Sequence, residues 1–363
     1  FVLEQVLHTK VGLIGTNQNL IGDQVEPAQR TTPDAYTLQS LLARMEQAGC
    51  THVVMEVSSH ALALRRTAGL QFRSGIFTNL TRDHLDFHGT MEAYRQAKAL
   101  LFDQCQAGFF NLDDGAGRHF AQTAPCRRHT YAQNRPEAEL QAKNLRLWPN
   151  RVEFDVLAPE GMCPVCLPIP GSFSVYNALG VIACCRELGL PLSQIADALA
   201  QTPGVKGRVE VVPVPAPYTV LIDYAHTPDA LEKILAAARD VTQCRLLCLF
   251  GCGGDRDKTK RPIMGEIAAE LADFVILTSD NPRTENPEQI IKQVAAGFPR
   301  NFSACLVQPD RRQAIRAALK MGRAGDVILL AGKGHETYQE IGTRRIPLDE
   351  REEIASFFQQ NTV

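Results

Sequence analysis

At 363 residues the chain exceeds one typical hydrophobic core, so two domains are expected. Hydrophobic residues make up 45% and charged residues 21%, the composition of a soluble globular protein, and a formal charge of −2 without a dense basic stripe argues against a nucleic-acid partner. No apolar run reaches the length of a membrane span, no signal peptide is recognisable, and eleven cysteines without framework spacing fit a reducing compartment.

The chain opens on Phe1-Val-Leu-Glu-Gln-Val-Leu-His8, whose apolar residues at 2, 3, 6 and 7 read as a helix already under way, with no N-cap before it. The expectation is a fragment whose upstream part is missing. Val11-Gly-Leu-Ile-Gly-Thr16 reads as a short buried strand and turn. A helical pattern runs over 34–47, with Leu38, Leu41, Leu42 and Met45 on one face and Gly49 ending it. The next strand, from His52, is apolar and ends in polar residues, where ligands sit in parallel sheets. Glu56 near its end is costly to bury without a cation.

A strand is expected over 75–79, followed by a loop with Asp83, His84, Asp86 and His88, then a helix capped by Thr90. On that helix Lys98 has Tyr94 at i−4, Leu101 at i+3 and Phe102 at i+4, so it points along an apolar face. Spacing alone favours a lysine that covers the core edge and reaches water. A lysine held in an apolar, metal-bearing site is the functional alternative, because burial lowers its pKa and frees the amine. Another strand starts at Phe109. Arg151-Val-Glu-Phe-Asp-Val-Leu157 alternates apolar and polar, as a strand with one wet face does. Cys163 and Cys166 form the only CxxC pair, without the second ligand pair of a zinc site or the helix start of a redox site. A well-packed helix from Ser174 carries Asn177 near its start.

The domain boundary is placed between 206 and 207, ahead of Pro213-Val-Pro-Ala-Pro217. Beyond it strands are expected over 218–223, 245–250, 274–279, 303–307 and 326–330, with helices over 228–240, 261–271, 287–297 and 310–322. That rhythm predicts an α/β doubly wound sheet. Four polar strand tips would share one edge as a binding crevice: 223–226, 251–258, 279–283 and 332–336. Gly251-Cys-Gly-Gly-Asp255 is neither a phosphate loop ending Gly-Lys-Ser/Thr nor the dinucleotide GxGxxG, which argues against a nicotinamide oxidoreductase. Arg283, after Asn281-Pro282, suits bidentate carboxylate binding.

These motifs together resemble one family. They are Glu56-Val-Ser-Ser-His60, the run 78–89 from Thr78 to Gly89, Ala97-Lys98, Asp223-Tyr-Ala-His-Thr-Pro-Asp229, Phe250-Gly-Cys-Gly-Gly-Asp-Arg-Asp-Lys258, Asp280-Asn-Pro-Arg283 and Ala331-Gly-Lys-Gly-His-Glu336. In this order they are similar to the Mur ligases over nearly the whole chain, and within them to the branch that adds diaminopimelate. The resemblance implies a middle ATPase-type α/β domain over 1–206, without its start and P-loop, and a Rossmann-like amino-acid-binding domain over 207–363. It also implies a cytoplasmic, monomeric enzyme of peptidoglycan synthesis. Such an enzyme uses ATP and Mg²⁺ to join meso-2,6-diaminopimelate to UDP-N-acetylmuramoyl-L-alanyl-D-glutamate through an acyl phosphate.

Site roles follow from the same resemblance. Lys98 matches a carbamylated lysine, and Lys98, Glu56 and His84 match the metal-holding, catalytic set. Asn177, Arg208 and Asp223 match nucleotide contacts, while Thr31, Thr32, Ser58 and Arg66 match contacts to the UDP-muramoyl dipeptide. Arg256, Asp280, Asn281, Pro282, Arg283, Gly332 and Glu336 match the diaminopimelate pocket. The family's Gly-Lys-Thr loop is absent and would lie just before Phe1, so the fragment is expected to be inactive by itself. Arg30 stands where relatives commonly have Asn, and Leu64 where a polar residue often meets substrate. The alternatives are a lysine-adding ligase of the same family and a non-catalytic ligand-binding fragment.

Overall fold

The structure, a computed structural model, describes residues 1–81 and 83–360. Arg82 of the motif over 78–89 lies outside the described residues, as do 361–363. The chain forms two compact units. The first comprises Phe1–Arg146, Glu153–Leu167 and Phe173–Thr202; the second comprises Leu147–Val152, Pro168–Ser172 and Pro203–Val363.

In the first unit the strand Lys10–Ile14 lies between its antiparallel neighbour Gln18–Ile21 and the parallel strand Cys50–Met55. Gln24–Pro27 completes this four-stranded sheet. The helix Ala35–Gln47 starts where Asp34 accepts from the Thr37 N–H, and its Leu38, Leu41 and Met45 pack with Ile14 and Ile21. A second sheet runs Gly161–Leu167, Arg151–Ala158, Leu140–Trp148, Arg127–Ala132, Cys105–Asn111, Phe72–Phe77. Phe72–Phe77 begins earlier than expected, because its parallel pairing with Cys105–Asn111 carries Phe72 and Ser74 into the ladder. Arg151–Ala158 does alternate in burial along its length. Cys163 and Cys166 are free thiols on a strand.

The second unit holds five parallel strands in the order Thr219–Asp223, Val327–Ala331, Leu246–Phe250, Phe274–Leu277, Cys305–Val307, with Glu210–Val212 antiparallel at one edge. Helices Pro228–Val241, Lys260–Leu271, Pro287–Ala295 and Arg311–Met321 intervene, as the sequence rhythm predicts. Apolar side chains of one sheet face, such as Leu249 and Leu330, pack with Ile315 and Ile354. Those of the other, such as Phe250 and Leu329, pack with Leu235 and Met264. Burial on both faces explains the continuous apolar runs. A hairpin, Tyr338–Ile341 with Arg344–Pro347, and the helix Glu350–Gln360 follow. Among the described residues no helix is long and apolar enough to cross a membrane.

Candidate active site

The second unit gathers charged groups at the carboxyl ends of its strands. Asp280 and Asn281 follow Phe274–Leu277, and Gly332 to Glu336 follow Val327–Ala331. Asn281 donates to Glu336 Oε2 at 3.0 Å and accepts, through Oδ1, from Lys333 Nζ at 2.7 Å. Lys333 Nζ also donates to Glu336 Oε2 at 2.9 Å and lies 3.6 Å from Asp280 Oδ1. Asp280, Asn281 and Lys333 are all buried. Gly332 has φ of +108°, and a Cβ there would sit 2.8 Å from Asp280 Oδ2. Any larger residue would therefore meet both backbone strain and the carboxylate.

Arg283 is held in the left-handed region, φ +50°, by backbone hydrogen bonds. Its N–H donates to Glu340 O at 3.1 Å, and its carbonyl accepts from Gly342 N at 2.7 Å. Its Nε donates to Glu340 Oε2 at 3.0 Å and its Nη1 to Gly254 O at 2.8 Å. Arg283 lines a cavity of about 260 Å³ together with Asp255, Glu340, Arg344 and Arg345. Pro282 is buried beside it, whereas Arg256 is exposed and donates to Asp255 O. The loop 251–258 is braced from below by Glu285. Its carboxylate accepts from the buried Arg261 and from Asp255 N, and the Arg261 guanidinium foremost holds its pKa down at about 2.

Asp223 is buried, which pushes its pKa up, while two backbone donors oppose that shift. Its oxygens accept from Val209 N at 2.9 Å and Ala225 N at 2.8 Å, so it orders the backbone around Arg208. Arg208 is exposed and lies over the Tyr224 ring, 5.4 Å from its centroid. Asn177 belongs to the first unit, exposed on the helix Ser172–Glu187.

In the first unit Glu56 is exposed rather than buried, because it follows the end of an edge strand. Its Oε2 accepts from Thr16 Oγ1 at 2.5 Å, and Thr16 Oγ1 lies 3.0 Å from Thr31 Oγ1. The buried Thr32 donates to Glu56 O at 2.8 Å and accepts from Ser58 N at 3.0 Å, while Arg66 donates to Thr32 O. Thus Glu56, Thr31, Thr32, Ser58 and Arg66 form one connected group. Leu64 is exposed beside the helix Ser59–Ala63.

His84 and Lys98 approach Tyr94 instead. The His84 ring is 5.8 Å from that of Tyr94, and Lys98 Nζ lies 5.2 Å from the same ring's centroid. Lys98 is half-buried, and burial pushes its pKa down against the pull of Asp83 and Asp114. Among the described residues no hydrogen bond or ion pair joins Glu56 to His84 or Lys98, and no three His, Cys, Asp or Glu side chains form a metal-binding group. His60 and His88 complete the ring cluster. Their pKa values are lowered first by burial and then by neighbouring histidine charge.

Sequence reasoning missed Lys333, Glu340 and His60. Lys333 and His60 lie inside motifs already singled out, so proximity in sequence was the available signal. Glu340 reaches the site only through the pairing of Arg283 with the hairpin strand.

Comparison with known proteins matches residues 2–185 to the Mur ligase middle domain and residues 207–334 to the Mur ligase, glutamate ligase domain. The UDP-N-acetylmuramoyl-L-alanyl-D-glutamate–2,6-diaminopimelate ligase of Synechococcus elongatus is 49% identical over 95% of this chain and 70% of its own length. Ligase 1 of the same description from Clostridium acetobutylicum is 45% identical over 97% of this chain and 73% of its own. A solved structure of a ligase with that description aligns with a TM-score of 0.76 at 33% identity, covering 100% of this chain and 75% of the other. A MurF ligase from Thermotoga maritima in complex with ADP shares the fold at 15% identity and a TM-score of 0.66, covering 99% of this chain and 76% of the other.

Proposed function

Since this chain belongs to the Mur ligase family, whose members are ATP-dependent amide ligases, we propose that it serves the ligation of meso-2,6-diaminopimelate to UDP-N-acetylmuramoyl-L-alanyl-D-glutamate in peptidoglycan synthesis. The observation that carries this reading is the pairing of two chemistries at one set of strand tips. Asp280 and Glu336, the latter held by Asn281, offer acceptors to an ammonium, while Arg283, fixed by Glu340 and Gly254, offers a guanidinium to a carboxylate. The non-reacting end of diaminopimelate carries both groups. The same end of lysine carries an ammonium alone. Gly332 leaves room beside Asp280, Pro282 presents Arg283, and exposed Arg256 adds a second cation for the carboxylate.

In the first unit, Thr31, Thr32, Ser58 and Arg66 are assigned to the UDP-muramoyl dipeptide, and Asn177, with Arg208 and Asp223 of the second unit, to ATP. The lowered pKa of Lys98 favours its neutral amine. That amine attacks CO2, an N–C bond forms, and a proton leaves to solvent, giving a carbamate anion. Mg²⁺ keeps several waters and needs only one or two carboxylate-type ligands, so Glu56, the Lys98 carbamate and His84 would suit it in donor chemistry. When bound it neutralises charge on the phosphate oxygens. The D-glutamyl carboxylate then attacks the γ-phosphorus and ADP leaves; the diaminopimelate amine attacks the acyl carbon and phosphate leaves. Orientation of that amine is the task of the second unit. The enzyme acts in the cytoplasm as a monomer.

No Gly-Lys-Ser/Thr loop lies within the 363 residues, so binding is the direct test of this chain. In titration calorimetry meso-diaminopimelate should bind about tenfold or more tightly than L-lysine, the worth of one charge-assisted pair. Equal or tighter binding of lysine would replace this reading by the lysine-adding one.

A further inference from the structure

Lys333 is fully buried, at 0% exposure, among residues of the proposed amino-acid pocket. A buried ammonium is kept only when its surroundings satisfy it. Here Asn281 Oδ1 at 2.7 Å and Glu336 Oε2 at 2.9 Å accept from it, Asp280 Oδ1 lies at 3.6 Å, and the Tyr338 ring centroid is 5.5 Å away. Two of those groups are the ones assigned to the ligand's ammonium. Asn281 Oδ1 is already filled by Lys333 Nζ and Glu340 N, which turns its amide so that Nδ2 donates to Glu336. Glu336 Oε2 takes both Lys333 and Asn281, and Oε1 is the carboxylate oxygen not used in these bonds.

We propose that Lys333 is a positioning residue that sets the pocket's preference for an ammonium-bearing end: it locks Asn281 and Glu336 and leaves the group one net negative charge. The count is two carboxylates, Asp280 and Glu336, against one ammonium. One negative charge matches one ligand ammonium. Without Lys333, Glu336 would keep only the bond from Asn281 Nδ2, and Asp280 would lose the ammonium 3.6 Å from its Oδ1. This inference rests on the amino-acid reading of the pocket, and it adds a residue that holds ligand contacts without being one.

The test is calorimetry of the whole chain with two probes, meso-diaminopimelate and 2-aminopimelate, which has the same chain and carboxylates but lacks the ammonium at one end. The parent should prefer diaminopimelate by roughly tenfold or more. In Lys333→Met that ratio should fall to within about threefold. Should that variant fail to show a cooperative melt, Lys333→Arg keeps the buried charge. Its ratio should fall too, because a planar fork cannot aim one nitrogen at these acceptors. A purely structural lysine would weaken both probes together and leave the ratio unchanged, and that result in either folded variant overturns the proposal. Absence of binding by the parent to either probe would instead overturn the amino-acid reading itself, and this inference with it.

Discussion

The sheets of the two units differ in how their strands are covered. In the second unit Leu246–Phe250 and Val327–Ala331 are buried at every residue. In the first, Cys50–Met55 ends one sheet and Phe72–Phe77 ends the other. Within these 363 residues both edges leave apolar side chains uncovered: Val53 is 38% exposed, Val54 49% and Ile76 37%. The candidate sites follow the same division. Over the closed core, Lys333, Asp280 and Asn281 are buried and linked through Lys333; beside the open edges, Glu56 is exposed and its carboxylate is engaged by a single threonine. Charges over a closed core interact in a low effective dielectric, so their arrangement is rigid before any ligand arrives.

The contrast between buried and exposed charge shows most directly in stability. Arg311 and Glu350 are both fully buried, and the guanidinium also donates to Ala331 O at the base of the pocket. Arg311→Met strands the carboxylate, whose pKa burial already raises, and should cost about 3–5 kcal/mol in urea denaturation. Thr16→Val removes the exposed partner of Glu56 and should change stability by less than about 0.5 kcal/mol. Similar costs for the two would mean that burial does not separate the units.

Next in size is Arg283→Ala. It should lower diaminopimelate affinity by roughly ten- to a hundredfold in calorimetry while changing lysine affinity little. Equal losses for both ligands would make Arg283 a structural clasp of the hairpin through Glu340 rather than a reader of the carboxylate.

Much of the second unit was legible because buried parallel strands are continuous apolar runs and their tips turn abruptly polar. All five parallel strands and four helices lie where that pattern puts them. Lys333 escaped because lysine is almost never fully buried and nothing local signals that it is. The hairpin strand Tyr338–Ile341 escaped because its pairing with Arg283 is set by tertiary contact. In the first unit the apolar strand before Glu56 raised only the cost of burying it; burial depends on neighbours, and Cys50–Met55 has one on a single side. The link between His84 and Lys98 through Tyr94 was half visible in the i−4 spacing; the histidine came from a loop whose path spacing does not determine.

A smaller effect probes the helix that carries Lys98. Thr90 accepts from Ala93 N at 3.1 Å at the start of Met91–Ala99. Thr90→Ala should cost about 1 kcal/mol, the usual worth of such a cap, read by thermal melting. No loss would show that packing of Tyr94 and Ala97 alone fixes the helix.

Lys98 itself gives the smallest and most conditional effect. Burial holds its pKa below the ordinary value of 10.5, so the folded chain binds fewer protons at this site than the unfolded chain between the two values. Stability from this group therefore rises with pH through that window, and the desolvation penalty is fully present below the lowered pKa. Lys98→Met removes the penalty. It should be more stable than the parent at neutral pH, with the advantage shrinking as pH climbs toward 10.5. An advantage independent of pH would assign the effect to packing. With 13C-bicarbonate the parent should show a carbamate carbon signal in NMR that Lys98→Met lacks; a signal persisting in the variant would place the carbamate on another amine. Because modification converts the buried cation to an anion, bicarbonate should also alter the parent's stability and leave the variant's unchanged. That ties the half-buried Lys98 of the open-edged unit to its proposed metal chemistry, whereas Lys333 of the closed unit is taken up by Asn281 and Glu336.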